Sequence, residues 1–222
     1  MGVLKGILIM VTRQTTAPDL EARKQLQLRN KHIASLIRPI PKCDYGVDIE
    51  LRDLKGQLER YNSDYGLTLN PDFQRGHVWS REQQIAFIES WIRGAVGEQV
   101  RTITFNCPDF AGREKAADSD LDGMVCLDGL QRLSAVMDFM DGAFRVFTNP
   151  DVEELKNGLD YKYFNNTSYS MTTKLIRFQI YRIQKKADLL DYYLAFNGGG
   201  TAHNQEELNR IRRMREELTS QT

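Results

Sequence analysis

The sequence predicts an α+β fold: a small mixed sheet flanked by helices, with extra helices at the N- and C-terminal ends. Three observations carry this. Residues 100–105, 124–127 and 175–183 are short alternating or wholly apolar runs of strand type. Residues 81–93, 131–140 and 187–196 place apolar side chains at helical spacing. The two kinds alternate loosely and without an internal repeat, so the class is α+β, or α/β on a small mixed sheet. Residues 1–62 read as a helical extension and residues 63–222 as the main domain.

The elements follow in order. Residues 1–11 are apolar but short, with one lysine and no small-residue cleavage site after them. That argues for an edge strand, or a start before Met10, over a signal peptide. Residues 20–37 form a charged helix with Leu26, Ile33 and Ile37 near one face, ended by Pro39 and Pro41. Residues 48–61 read as a second helix carrying Ile49, Leu51, Leu54 and Leu58. Residues 67–69 form a short strand before Asn70-Pro71. Ser80-Arg81-Glu82-Gln83 is a capping box, so a helix runs over 81–93 and stops at Gly94.

Residues 100–105 are a strand. Residues 108–123 are polar and acidic and read as a mobile surface loop. A buried strand, 124–127, leads through a glycine turn into a helix with Leu133, Val136, Met137 and Met140 on one face, closed by Gly142. Residues 144–147 read as a strand, and 149–170 fit no pattern. The strand at 175–183 and the helix at 187–196 follow. Asn197 and Gly198-Gly199-Gly200 break the chain before a last helix from residue 204 or 205.

Composition narrows the class. The chain has 222 residues, 41% of them hydrophobic, and 30 basic against 30 acidic side chains. Balanced charge gives no whole-molecule steering towards nucleic acid. Cys43, Cys107 and Cys126 lie far apart with no C-x-x-C pair, which fits a reducing cytoplasm and excludes a disulfide scaffold or structural zinc site. No apolar run approaches a membrane span, so no membrane partner is expected.

Chemistry concentrates in three clusters. The first is Asp128-Gly129-Leu130-Gln131-Arg132. A cation is disfavoured at a helix N-terminus, so Arg132 makes sense if an anion joins it. Helix N–H groups and a guanidinium would then converge on one phosphate, or Arg132 forms an ion pair with an acidic neighbour. Asp128 either caps the helix or faces a ligand at the strand's C-terminal end. Gly129 supplies positive φ or close approach to a ligand, and Gln131 can donate to a phosphate. The second cluster, residues 72–80, places Gln74, Arg75 and His77 before the next helix, with Phe73, Val78 and Trp79 as anchors. Arg75 is a phosphate ligand or an ion-pair partner, and His77 a catalyst or a surface histidine. Glu89 borders the apolar stripe Ile85–Ile88–Ile92. It needs an arginine partner, or it serves as a general base or metal-water ligand with a raised pKa. The third cluster is Phe196-Asn197-Gly198-Gly199-Gly200-Thr201, then His203-Asn204-Gln205-Glu206, where the glycine backbone turns sharply or approaches something closely. No Walker A, H-E-x-x-H, His-Asn-His or G-x-S-x-G motif is present.

Together these clusters resemble the N-terminal nucleotide-handling domain of GmrS/GmrD-type restriction endonucleases and SspE-type defence proteins, within the ParB and sulfiredoxin superfamily. The likeness spans residues 67–208: a "QR…W" loop, a helix with Glu89, the "DGxQR" turn, and an "N-x-G-G" turn. It implies nucleoside triphosphate binding, ATP first among candidates, by Gln74, Arg75, Gly129, Gln131, Arg132, Asn197, Gly199 and Gly200. Mg2+ would sit at Asp128, with Glu89 or His77 as catalytic base. Leu130 stands where the family's first glutamine is usual, and where sulfiredoxin keeps its cysteine, so sulfinic-acid reduction is not expected. The last helix closes near Thr222, so the His-Asn-His nuclease of full-length relatives is not expected within this sequence.

The resulting expectation is an NTPase or phosphotransferase acting on or near DNA, such as a kinase of hydroxymethylated DNA bases. The alternative is a non-catalytic nucleotide-sensing, DNA- or protein-binding subunit whose nuclease or modification enzyme is a separate chain. Arg210, Arg212, Arg213 and Arg215 either touch DNA phosphates or form a solvated face balanced by Glu206, Glu207, Glu216 and Glu217.

Overall fold

The computed structural model describes residues 17–37, 39–73, 79–198 and 205–220. The reading of residues 1–11 therefore lies outside the described residues. The chain divides into two units at Ile40/Pro41. The first contains α1 (Ala17–Ile37), where Leu26, Ile33 and Ile37 are all exposed.

The second unit holds β1 (Tyr45–Glu50), α2 (Leu54–Tyr65), α3 (Arg81–Ile92), β2 (Thr102–Asn106), β3 (Val125–Asp128) and α4 (Leu130–Met140). It continues with β4 (Leu175–Tyr181), α5 (Lys186–Gly198) and α6 (Gln205–Ser220). The strands form one mixed sheet in the order β1-β4-β2-β3. Only the β2–β4 pair is parallel. The α+β expectation, a small mixed sheet with flanking helices, describes this architecture.

Side-chain alternation divides the sheet into two unlike faces. Ile103 and Phe105 of β2 and Ile176, Phe178 and Ile180 of β4 enter the main core with Leu54, Leu58, Ile88, Trp91, Leu133 and Phe139. Thr102, Thr104 and Asn106, opposite Arg177, Gln179 and Tyr181, occupy the other face. A smaller core covers part of that side, where Leu127, Leu189, Leu190, Tyr193 and Ile211 pack together. Asn106 ties the end of β4 to this arrangement, accepting from Ile183 N–H at 2.8 Å and donating to its carbonyl at 3.1 Å.

Several expectations require correction. The single helix read over 48–61 is a strand, one 3-10 turn and a helix. Asp48–Glu50 pair with β4, Leu51 lies in the 3-10 turn, and α2 begins at Leu54. The apolar spacing misled because Ile49, Leu51, Leu54 and Leu58 all reach one core from different backbone states. Residues 41–62 thus contribute β1 and most of α2 to the unit that holds the sheet. The 67–69 strand reduces to a bridge between Thr68 and Val125, and 144–147 to a bridge between Val146 and Leu159. Residues 149–170 contain two 3-10 turns. α5 runs through Asn197 to Gly198 instead of stopping at Phe196.

The 108–123 segment is anchored to the chain after β4. Arg182 donates to the carbonyls of Pro108 and Glu114, each at 3.0 Å. Gln184 accepts from Ala116 N–H at 2.9 Å, and Lys186 N–H donates to Asp120 at 2.7 Å. The capping box is present as read: Ser80 accepts from Gln83 N–H while the Gln83 side chain accepts from Ser80 N–H. Gly94, at φ +80°, follows α3.

Burial gives the domain a pH limit. It pushes the Cys107 and Cys126 thiols and the Tyr61 phenol each up to about 12. All three are neutral when protonated, so below about pH 8 these groups hold the same protons in the folded and unfolded chains. Above that the unfolded chain releases protons that the folded chain keeps. Stability is therefore expected to hold to about pH 8 and to fall progressively towards pH 12. Urea midpoints at pH 7.5 and pH 10.5 check this, with the lower value expected at pH 10.5.

Candidate functional site

The DGLQR segment forms a strand, turn and helix. Gly129 is the N-cap residue at φ +95°, and its carbonyl accepts from Leu133 N–H at 2.9 Å. A Cβ there would lie 2.5 Å from Ile103 Cδ1 and 3.3 Å from both Ile103 Cα and Thr102 O. The close approach at this glycine is to β2, where the sequence suggested a ligand.

Asp128 does not cap α4, which has no side-chain cap. Its Oδ2 pairs with Arg132 Nη2 one helical turn later. Arg132 Nη1 faces the carbonyls of Gln99, Val100 and Thr102 at 3.2, 2.9 and 2.8 Å. The anion that joins Arg132 is therefore Asp128, and the guanidinium fastens α4 to the entry of β2. The cation tolerated at this helix start is neutralised from within the chain. The side chains are only 15% and 24% exposed, so the pair is largely shielded from water.

Gln131 takes a different partner. Its Oε1 accepts from Trp79 N–H at 2.9 Å. The "QR…W" loop and the "DGxQR" turn are thus hydrogen-bonded to each other across 52 positions of sequence. Leu130 packs against the core, and Cys126 is fully buried within it.

Glu89 holds a turn. Its Oε1 accepts from Phe147 N–H at 2.6 Å, and Phe147 has a left-handed backbone at φ +55°. The Arg93 guanidinium lies 5.1 Å from the Phe147 ring centroid. Phe147 in turn walls an apolar cavity with Ile92, Leu159 and Phe164. Glu89→Ala is expected to cost about 1–3 kcal/mol by leaving that N–H without its acceptor, whereas Glu89→Gln stays within about 1 kcal/mol. Urea midpoints test this, and turnover equal to wild type in Glu89→Gln would exclude the general-base role.

Gln74, Arg75, His77, Gly199 and Gly200 lie outside the described residues. Asn197 belongs to the last turn of α5. Of the C-terminal arginines, Arg210 donates to the carbonyls of Asp72 and Phe73 at 3.1 and 2.9 Å. Arg215 grips Asp191 at 2.9 and 3.0 Å. Both hold α6 in place, so the basic face read from sequence is partly spent on packing.

The polar sheet face opens into a cleft of about 310 Å³, within the size range of small-molecule sites. Thr104 lies beside Gln179 of β4 on one side and Asp128 of β3 on the other. This row of three polar side chains across adjacent strands contributes to the lining, together with Thr102, Glu98, Gln99 and Phe196. Glu98 and Gln99 were missed from sequence, because nothing at residues 97–101 signals a wall, and Phe196 opened the third cluster without a role of its own. Among the described residues no group of three or more His, Cys, Asp or Glu side chains suits a metal ion. Asp128 Oδ1 has no hydrogen bond among the described residues and would be the carboxylate oxygen to hold a magnesium ion there.

One covered sheet face and one polar, cleft-bearing face define an α+β domain with a small-molecule-sized site. The model described as GmrSD restriction endonuclease, N-terminal domain, matches residues 54–219, and the chain belongs to that family. No curated protein and no solved structure matches the chain significantly. Among the described residues no helix is long and apolar enough to cross a membrane.

Proposed function

We propose that this domain is the nucleotide-handling part of a restriction or anti-phage system, working on or near DNA. The observation that carries this reading is the convergence of the motif segments. Asp128 of the glycine turn and Phe196 of the α5 terminus line one cleft, while Trp79 is bonded to Gln131 beside it. Family membership supports the restriction context. Kinship with the ParB superfamily, implied by the motif order, belongs to the same reading.

In this account the substrate is a nucleoside triphosphate, with ATP the first candidate. Bound magnesium would neutralise phosphate charge against Asp128. Arg132 is a positioning residue: it orients Asp128 and locks the 99–102 strand entry against α4. The activity is phosphate release, or transfer to an alcohol such as a hydroxymethylated DNA base. A DNA-cleaving or DNA-modifying enzyme is the natural partner.

One observation favours a second reading, non-catalytic nucleotide sensing. The cleft is lined by two carboxylates and by neither lysine nor arginine among the described residues. Transition-state charge on a transferring phosphoryl group calls for cations. Incubating the protein with magnesium and each of ATP, CTP, GTP and UTP, with and without hydroxymethylated duplex DNA, decides the matter. Nucleoside diphosphate is expected, and label on the DNA distinguishes transfer from hydrolysis. Binding without diphosphate would establish the sensing reading; no binding would contradict both.

A further inference from the structure

We infer that the cleft on the polar sheet face receives the nucleoside end of a nucleotide, with Phe196 as stacking platform for the base and the carboxamides of Gln99 and Gln179 facing its polar edge. The inference rests on the nucleotide reading above and assigns which part of the ligand sits where. The charge of the cleft favours the nucleoside end. Glu98 and Asp128 line the cleft, and no lysine or arginine does so among the described residues. The nearest arginine of the motif is already paired with Asp128 and three backbone carbonyls. Glu98 likewise holds Arg177 at 3.2 Å, so no cation is left over among the described residues of the lining and a bare triphosphate would be disfavoured there. A neutral base and sugar are not, and carboxylates accept hydrogen bonds from sugar hydroxyls.

An aromatic wall suits a base. Phe196 is 42% exposed although its ring lies nearly parallel to that of Tyr192, 12° between planes. Tyr192 is itself buried and packs against Tyr181 at 4.8 Å between centroids. The platform is thus fixed from behind while its ring borders the cleft. Nucleobases stack on such rings whatever their identity.

The cleft also holds unspent hydrogen-bonding capacity. The side-chain amides of Gln99 and Gln179 make no hydrogen bond among the described residues, and both line the cleft. Each carries two donors and an acceptor, the complement of a base edge. Gln179 and Asp128 are two strand spacings apart, with Thr104 between them. That is roughly 10 Å, the length of a nucleoside. A base near Gln179 would leave the ribose and its phosphate end towards Asp128.

The test is calorimetric titration of the full chain with adenosine, cytidine, guanosine and uridine, and separately with tripolyphosphate. At least one nucleoside is expected to bind. Phe196→Ala is expected to weaken it about 5- to 100-fold, from the loss of one stacked base, and Phe196→Tyr to stay within a few-fold. Tripolyphosphate affinity should change less than twofold in both variants. Gln179→Ala, at a partly exposed position, should change the rank order among the four nucleosides. The inference is overturned if triphosphates bind but no nucleoside does. It is also overturned if Phe196→Ala leaves nucleoside affinity intact or lowers tripolyphosphate affinity equally. Those results leave the nucleotide reading standing, whereas failure of nucleosides, triphosphates and tripolyphosphate alike overturns both.

Discussion

Arg132→Ala is expected to lower folding stability by about 2–4 kcal/mol and the melting temperature by roughly 5–15 °C. The substitution removes the partner of a part-buried carboxylate and the donor facing three carbonyls at once. Unpaired, those groups carry their desolvation penalty without return. Arg132→Lys should recover only part of the loss, because an ammonium cannot span a carboxylate and a carbonyl cluster as a planar fork does. A double-mutant cycle isolates the pair: Arg132→Ala in an Asp128→Ala background should cost less than in the wild type. Nucleotide turnover should also be lost at temperatures where Arg132→Ala remains folded, since Asp128 is no longer held towards the cleft. Full turnover in the folded variant would remove Arg132 from the functional account and leave it as a staple. Thermal melts and phosphate release on the same samples read both outcomes.

Gly129→Ala is the second large effect, expected at about 2–5 kcal/mol. Two causes add. An L-residue at φ +95° bears a backbone penalty, and its Cβ would lie 2.5 Å from Ile103 Cδ1. Ile103 is fully buried in β2, so it cannot swing aside without opening the core. The flexible end of that side chain can yield slightly, but Ile103 Cα and the Thr102 carbonyl, each at 3.3 Å, cannot. Relief would separate α4 from β2 and strain the Arg132 contacts to residues 99–102. Gly129→Ala should therefore mimic part of the Arg132→Ala phenotype. A urea midpoint within error of wild type would contradict this packing argument.

The fold was legible where local signals and tertiary packing agree. The Ser80 capping box, the strand–glycine–helix at 125–140 and the alternation of β4 each announce themselves within a few residues. Asp48–Glu50 did not, because an edge strand is fixed by its partner β4, more than 120 positions away, and its apolar residues mimic helical spacing. The candidate site was legible as motifs but not as geometry. Sequence raised two possibilities for Arg132, a phosphate or an acidic neighbour, and only the folded chain shows Asp128 one helical turn before it in contact. It could not show that Gln131 spends its oxygen on Trp79, nor that Glu89 is committed to a turn at Phe147. Glu98, Gln99 and Gln179 carry no motif at all; Gln179 enters the cleft through the register of β4, and Glu98 and Gln99 through the 3-10 turn that leads into β2.

The central claim is that the motif segments build one nucleotide cleft on the polar sheet face. Crystals grown with magnesium and a non-hydrolysable nucleoside triphosphate test it most directly. Ligand density is expected bounded by Glu98, Thr104, Asp128, Gln179 and Phe196, with metal beside Asp128 and the Asp128–Arg132 pair preserved. Nucleotide bound elsewhere, with this cleft holding only solvent, would contradict it.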